Sequence, residues 1–209
     1  MIHVLRSIFF SIFLIGTSGI ASDESNEISY TEAGPIVILR SHDQKVSNLL
    51  ANEGDTLQTA IRDSLKRKIN SVFDFNELSK IALGTHWGEI TKKEREKFVT
   101  IFGGIIQEQN FDTFLTYYRD GKLNYEKENI NGKFATVNAS VPLKRGSVSI
   151  EYLMHIVDEK WRIYDVKIDS ISTAEGNRKR YERYIKKHSY EKLILQLEKQ
   201  LDRLMKARD

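Results

Sequence analysis

The sequence predicts an α+β fold in which a curved, four-stranded antiparallel sheet packs against helices on one face. Three observations lead there. Apolar residues recur at helical spacing up to about residue 120, switch to strict alternation after Gly121, and return to helical spacing from Glu175. The alternating stretches are joined by short turn sequences, which produces a meander. No internal repeat or low-complexity tract interrupts this plan.

Pro35 suits a first helical turn, and a helix over Ile36–Ala51 follows with Val37, Leu39, Val46, Leu49 and Leu50, ending before Gly54. Leu57, Ile61, Leu65 and Ile69 fall four apart and predict a second helix over Thr56–Ile69. Asp74 can cap a short helix, Phe75–Leu83, which Gly84 ends. Thr91-Lys92-Lys93-Glu94 is a capping box at the head of a long helix, with Phe98, Phe102, Ile105 and Ile106 as its apolar stripe. Gly103-Gly104 interrupts that stripe and costs about 1.5–2 kcal/mol relative to alanine. A kink, or the close approach of another element, should compensate.

Four strands follow: Lys122–Ile130, Phe134–Val141, Ser147–Val157 and Trp161–Ile168. Asn131-Gly132 is a tight hairpin sequence, and Lys144-Arg145-Gly146 and Asp158-Glu159-Lys160 supply the next turns. In the last strand, alternation sets Trp161, Ile163, Asp165 and Lys167 on one face and Arg162, Tyr164, Val166 and Ile168 on the other. Helices over Glu175–Lys187 and Tyr190–Ala207 complete the chain.

Residues 1–21 have the three parts of a secretory signal peptide: a short basic start, the apolar run Ser7–Ile15, and small residues ending at Ala21. The nine residues between Arg6 and Gly16 are too few for a membrane span, which needs about 20. Export is therefore expected, with cleavage after Ala21, a polar flexible arm over residues 22–34, and a single domain over residues 35–209. The chain has no cysteine, so neither disulfides nor lipoprotein-type acylation are available. Cleavage removes Arg6 and no acid, leaving 31 basic and 29 acidic residues; this balance does not suggest a nucleic-acid binder. Arg178, Lys179, Arg180, Arg183, Lys186 and Lys187 cluster within ten residues, as a solvated helix face or as a contact for anionic headgroups.

Catalytic and metal-binding motifs are missing. The five histidines have no metal-ligand spacing, so no metal or cofactor is expected. Neither a phosphate-binding loop, a dinucleotide fingerprint, a nucleophile elbow nor a zinc-protease motif occurs. Asn138-Ala139-Ser140 matches a glycosylation sequon but lies in a predicted strand. Asp165 and Lys167 read as a structural ion pair at the sheet rim. An acid–base site in which Asp165 works with Tyr152 or Tyr164 on a steroid-like substrate is the alternative. What the chain does offer is apolar surface, either as a closed core or as a core left open for an apolar ligand.

Several ordered blocks resemble one family. Phe73-Asp74-Phe75, Glu77-Leu78-Ser79-Lys80-Ile81-Ala82-Leu83-Gly84 and Trp87 resemble the first block of the MlaC, or toluene-tolerance, family. Thr91, Glu94-Arg95-Glu96-Lys97-Phe98 and Phe102 continue it, and Tyr117–Tyr125 matches the step into the sheet. Trp161-Arg162-Ile163-Tyr164-Asp165-Val166, Ile168 and Ile171-Ser172 form the most specific block. Arg178, Tyr181, Ser189, Leu193 and Leu197 fit the last helices, whereas Gly176, Asn177, Lys179 and Arg180 depart from the family's residues. The resemblance spans roughly residues 33–200.

The resemblance implies a periplasmic carrier without enzymatic activity, acting as a monomer, with a twisted four-stranded sheet in an NTF2-like cone. Glycerophospholipid acyl chains would lie in an apolar cavity and the headgroup would face solvent. The implied partners are an outer-membrane lipoprotein complex and an inner-membrane ABC transporter with its membrane-anchored substrate-binding ring. A hopanoid or other apolar cargo, an NTF2-like enzyme and a closed-core adaptor are the alternatives. Burial of two acyl chains gains on the order of 20 kcal/mol against water, at about 0.8 kcal/mol per methylene. A carrier must nonetheless only match a bilayer's affinity, which calls for an apolar pocket with few polar anchors. From alternation and the helical stripe, the expected cavity residues are Phe98, Phe102, Ile105, Val137, Ile150, Tyr152, Met154, Tyr164, Val166 and Ile168.

Overall fold

A computed structural model of the protein describes residues 33–51, 59–120, 123–142 and 146–207. The signal peptide, nearly all of the arm, Gly54, the predicted start of the second helix and the Lys144-Arg145 turn lie outside these residues. The elements run α1 (Pro35–Leu50), α2 (Thr59–Asn70), α3 (Phe75–Leu83), α4 (His86–Glu89), α5 (Lys92–Asp120), β1 (Asn124–Asn131), β2 (Phe134–Pro142), β3 (Ser147–Val157), β4 (Lys160–Ile168), β5 (Ile171–Ser172), α6 (Thr173–Lys187) and α7 (Tyr190–Lys206). Local chemistry sets several of the boundaries. The Asp74 carboxylate accepts from the amides of Asn76 and Glu77 at the head of α3, and Thr91 and Glu94 form the reciprocal capping box of α5. Gly84 takes a positive φ at the end of α3.

The sheet is an antiparallel meander in the order β1-β2-β3-β4-β5. It has five strands among the described residues, one more than predicted. The fifth has only two residues, Ile171 and Ser172, which pair with Ile168 and Lys167 across a turn at Asp169-Ser170. A strand this short has no periodicity to read. Beside it, residues 72–74 run parallel to β4, with the Ile163 amide donating to the Val72 carbonyl (2.9 Å) and the Asp74 amide to the Ile163 carbonyl (2.8 Å). Strand β4 is thereby hydrogen bonded along much of what would be an open edge.

A β-bulge corrects the predicted faces of β4. Leu153 pairs with Asp165 but Met154 pairs with Ile163, so Tyr164 is an extra residue. Beyond it the alternation changes phase. Trp161, Ile163 and Val166 share the inner face with Val137, Ile150, Tyr152 and Met154, while Asp165 and Lys167 lie on the opposite face, where Asp165 is covered by the head of α6. Strict alternation had assigned Asp165 and Lys167 to the face of Trp161 and Ile163. Lys167 pairs with its cross-strand partner Glu151 at 2.5 Å, not with Asp165.

Buried apolar residues form three clusters. The inner sheet face packs on Ile38 and Leu39 of α1. A helical cluster joins Leu78, Phe98, Phe102, Ile105, Tyr181, Leu193 and Leu197 from α3, α5, α6 and α7. A third joins Val46, Leu50, Leu65, Ile69, Phe111 and Leu115 from α1, α2 and α5. The buried side of α1 is Ile38, Leu39, His42, Val46 and Leu50, whereas Val37 and Leu49 of the predicted stripe are exposed. Close approach compensates the glycine pair: a Cβ on Gly103 would meet Phe75 at 3.3 Å, and one on Gly104 would meet Leu201 at 3.1 Å.

Candidate functional site

Two narrow clefts lie beside the sheet, the first between it and α1, α2 and α5, the second between β4 and α2, α3, α5 and the start of α6. Leu39, His42 and Asp43 of α1, Ile69 of α2, Val72, Phe73, Phe114 and Tyr118 of α5, Leu123, Tyr125 of β1, Tyr152 of β3 and Ile163 of β4 line the first. Asn70, Phe73, Leu78, Ile106, Asn110, Phe114, Val166, Ile168 and Thr173 line the second. Phe73 and Phe114 border both, so these half-buried rings partition one apolar region. The clefts enclose about 400 and 370 Å³ of unfilled space counting their mouths. Only about 20 Å³ of each admits the centre of a water-sized sphere, which is room for about one water.

The first cleft grades from apolar to polar. Ile163, Leu39 and Ile69 are almost fully buried, whereas Asp43, Tyr118 and Tyr125 are half-buried. The Tyr125 hydroxyl donates to Asp43 Oδ2 at 2.5 Å, and the Tyr118 hydroxyl bonds the same carboxylate. One carboxylate thus ties α1 to α5 and β1. Burial pushes Asp43 up to about 6, against the phenol hydrogen bonds and the Arg40 charge. Burial raises the Tyr125 phenol, with Tyr152 and the same carboxylate adding to it. Burial lowers the neighbouring His42 to about 4, although its Nε2 lies 3.2 Å from the Ile69 carbonyl; nearby Lys68, Lys45 and Arg162 add to the lowering.

These two neighbours make opposite contributions to acid stability. Asp43 stabilises the fold fully below about pH 4, and that stability is lost as pH rises through about 6. His42 stabilises it fully above about pH 6.5, and that stability is lost as pH falls through about 4. Each effect is on the order of 3 kcal/mol, so between pH 4 and 6 they cancel. In Asp43→Asn the His42 slope stands alone, and its melting temperature should fall on acidification from pH 6.5 to 4 more steeply than that of the unsubstituted chain. Parallel thermal-denaturation profiles for the two proteins would refute this.

The ten expected cavity residues separate into groups. Phe98, Phe102 and Ile105 lie in the helical cluster, where both phenylalanines meet Tyr181 edge-on at about 6 Å and line neither cleft. Val137, Ile150, Tyr152, Met154 and Val166 share the inner sheet face; among them Tyr152 borders the first cleft and Val166 the second. Ile168 borders the second cleft and is 41 % exposed. Tyr164, at the bulge, stands apart against Phe134 and His155. The expectation of few polar anchors missed Asp43 and Tyr118, and Tyr125 entered only as the end of a family block. The signal available was Leu39, His42 and Asp43 at helical spacing in α1.

Asp165 is 3 % exposed and borders neither cleft. Its Oδ1 accepts from the amides of Val166 and Ala174, and its Oδ2 from the Ser172 hydroxyl, which fastens α6 to β4. No cluster of metal-ligating side chains occurs among the described residues. No described helix is long and apolar enough to cross a membrane.

This antiparallel sheet with narrow apolar clefts under its helices has a counterpart among solved structures. A phospholipid-binding protein from Ralstonia solanacearum, determined in complex with a phospholipid, superposes with a TM-score of 0.70 over 83 % of this chain and 99 % of its own, at 16 % identity. The MlaC protein family model matches residues 40–199, and the chain belongs to that family. The intermembrane phospholipid transport system binding protein MlaC of Haemophilus influenzae is 24 % identical over 180 residues, covering 80 % of this chain and 82 % of that protein.

Proposed function

We propose that the protein is a periplasmic phospholipid carrier, exported by its N-terminal segment, that holds acyl chains between the sheet and α1, α2 and α5. The shared partition of the two clefts by Phe73 and Phe114 carries this reading in a chain of the MlaC family. A rotation of those rings joins the clefts into one longer apolar space. As they stand the clefts are too narrow for an acyl chain, so loading requires α1 or the C-terminal half of α5 to move away from the sheet. The empty protein closes on itself and keeps its apolar lining from water. The carrier receives lipid from one membrane complex and passes it to the other: an outer-membrane lipoprotein complex on one side, an inner-membrane ABC transporter with its substrate-binding ring on the other. It does so as a monomer and without turnover of its cargo.

Native mass spectrometry of the protein purified from a bacterial periplasm, followed by lipid extraction, tests this. A stoichiometric phospholipid on the protein is the expected result. A mass that matches the bare chain, unchanged after incubation with phospholipid vesicles, would overturn the reading.

A further inference from the structure

We infer that Arg40, Asp43 and Tyr125 form a headgroup site at the mouth of the first cleft that favours zwitterionic aminophospholipids over anionic ones. The inference rests on the phospholipid reading above and extends it to the headgroup. Arg40 and Asp43 are three residues apart on α1, and side chains at that spacing are neighbours on a helix surface. Tyr125 brackets them. The Arg40 guanidinium lies 5.6 Å from its ring centroid and donates to its carbonyl at 3.3 Å, while its hydroxyl donates to Asp43 at 2.5 Å. A cation and an anion therefore stand side by side where the cleft turns from apolar to polar.

Their exposure orders them. Arg40 is exposed and Asp43 half-buried, and the fully buried part of the lining is apolar. A lipid with its chains among Leu39 and Ile163 brings its headgroup to this rim. A phosphate then meets Arg40, whose guanidinium is built for phosphate oxygens. An ammonium two carbons further on meets the Asp43 carboxylate. Tyr125 and Tyr118 already donate to Asp43, which orients it and leaves its remaining lone pairs for a donor on the ligand. A headgroup that carries only the phosphate charge gains the Arg40 contact but brings no cation to Asp43. His42, the histidine of this lining, bonds the Ile69 carbonyl and offers no counter-charge near neutral pH.

The test is loading from vesicles of equimolar phosphatidylethanolamine and phosphatidylglycerol at pH 7.5. The lipid-bound fraction is isolated by native mass spectrometry and its lipid is extracted. The unsubstituted protein should carry phosphatidylethanolamine about tenfold over phosphatidylglycerol, the lower end of the scale of one charge-assisted hydrogen bond. Asp43→Asn should bring the ratio close to unity. Arg40→Ala alters only an exposed side chain, so its fold is not at issue, and it should lower uptake of both lipids without lowering their ratio, because both carry the phosphate. An unselective or phosphatidylglycerol-preferring parent protein, a ratio unchanged in Asp43→Asn, or uptake of both lipids unchanged in Arg40→Ala overturns the headgroup site while leaving the carrier reading intact. A parent protein that takes up neither lipid overturns both.

Discussion

Phe102→Ala should destabilise the protein by about 4 kcal/mol, as truncation of a fully buried phenylalanine does. Phe102 is 0 % exposed, its ring centroid lies 5.5 Å from that of Phe98, and both rings meet Tyr181 edge-on. Truncation removes this aromatic contact and leaves a cavity among α3, α5, α6 and α7, which the close contacts at Gly103 and Gly104 keep from collapsing easily. Because Phe102 borders neither cleft, lipid carried per folded chain should stay as it was. Chemical denaturation with lipid extraction from the folded fraction measures both quantities. Lost lipid at unchanged stability would return Phe102 to the cavity surface.

Asp165→Ala should cost about 4 kcal/mol, because it strands two backbone donors, at Val166 and Ala174, that the carboxylate satisfies. The Ser172 hydroxyl loses its acceptor too, and Ser172 is the residue that caps α6 through the Glu175 amide. Asp165→Asn keeps an acceptor oxygen and should recover about half of the loss. Urea denaturation of the two variants decides the matter. A loss under about 1 kcal/mol for the alanine variant would mean the carboxylate is not the fastening of α6.

The starts of α3 and α5, the meander and its turns at Asn131-Gly132 and Asp158-Glu159 were legible in the sequence because they depend on local chemistry. Asp74, the Thr91–Glu94 box and the Asp158-Glu159 turn, both of whose residues adopt positive φ, act within a few residues of themselves. Strict alternation misses the bulge at Tyr164, although it shifts the apolar residues of β4 from the phase of Trp161 and Ile163 to that of Val166 and Ile168, because alternation reads the shift as one face turning polar. One unseen residue thus reversed the faces of Asp165 and Lys167. The cleft was legible only in part. Alternation identified Tyr152, Val166 and Ile168, but which helix covers which face follows from packing between segments distant in the chain. Phe98, Phe102 and Ile105 have the same apolar character as Phe114, yet α5 directs them into a different cluster.

The clusters also divide the ways in which the chain is free to diverge. The helical cluster draws on α3, α5, α6 and α7, and the other two on α1, α2, α5, Val72 and the sheet. Among the buried residues described, α5 alone serves both sides. Substitutions around the first cleft therefore fall on residues that the helical cluster does not use, and their thermodynamic cost stays local, whereas Leu78 and Ile106 of the second cleft belong to that cluster. A lineage can revise the shape and polarity of its cargo space step by step while its folding scaffold drifts under separate constraints. Selection on what is carried and selection on staying folded then act on largely different residues of one small chain.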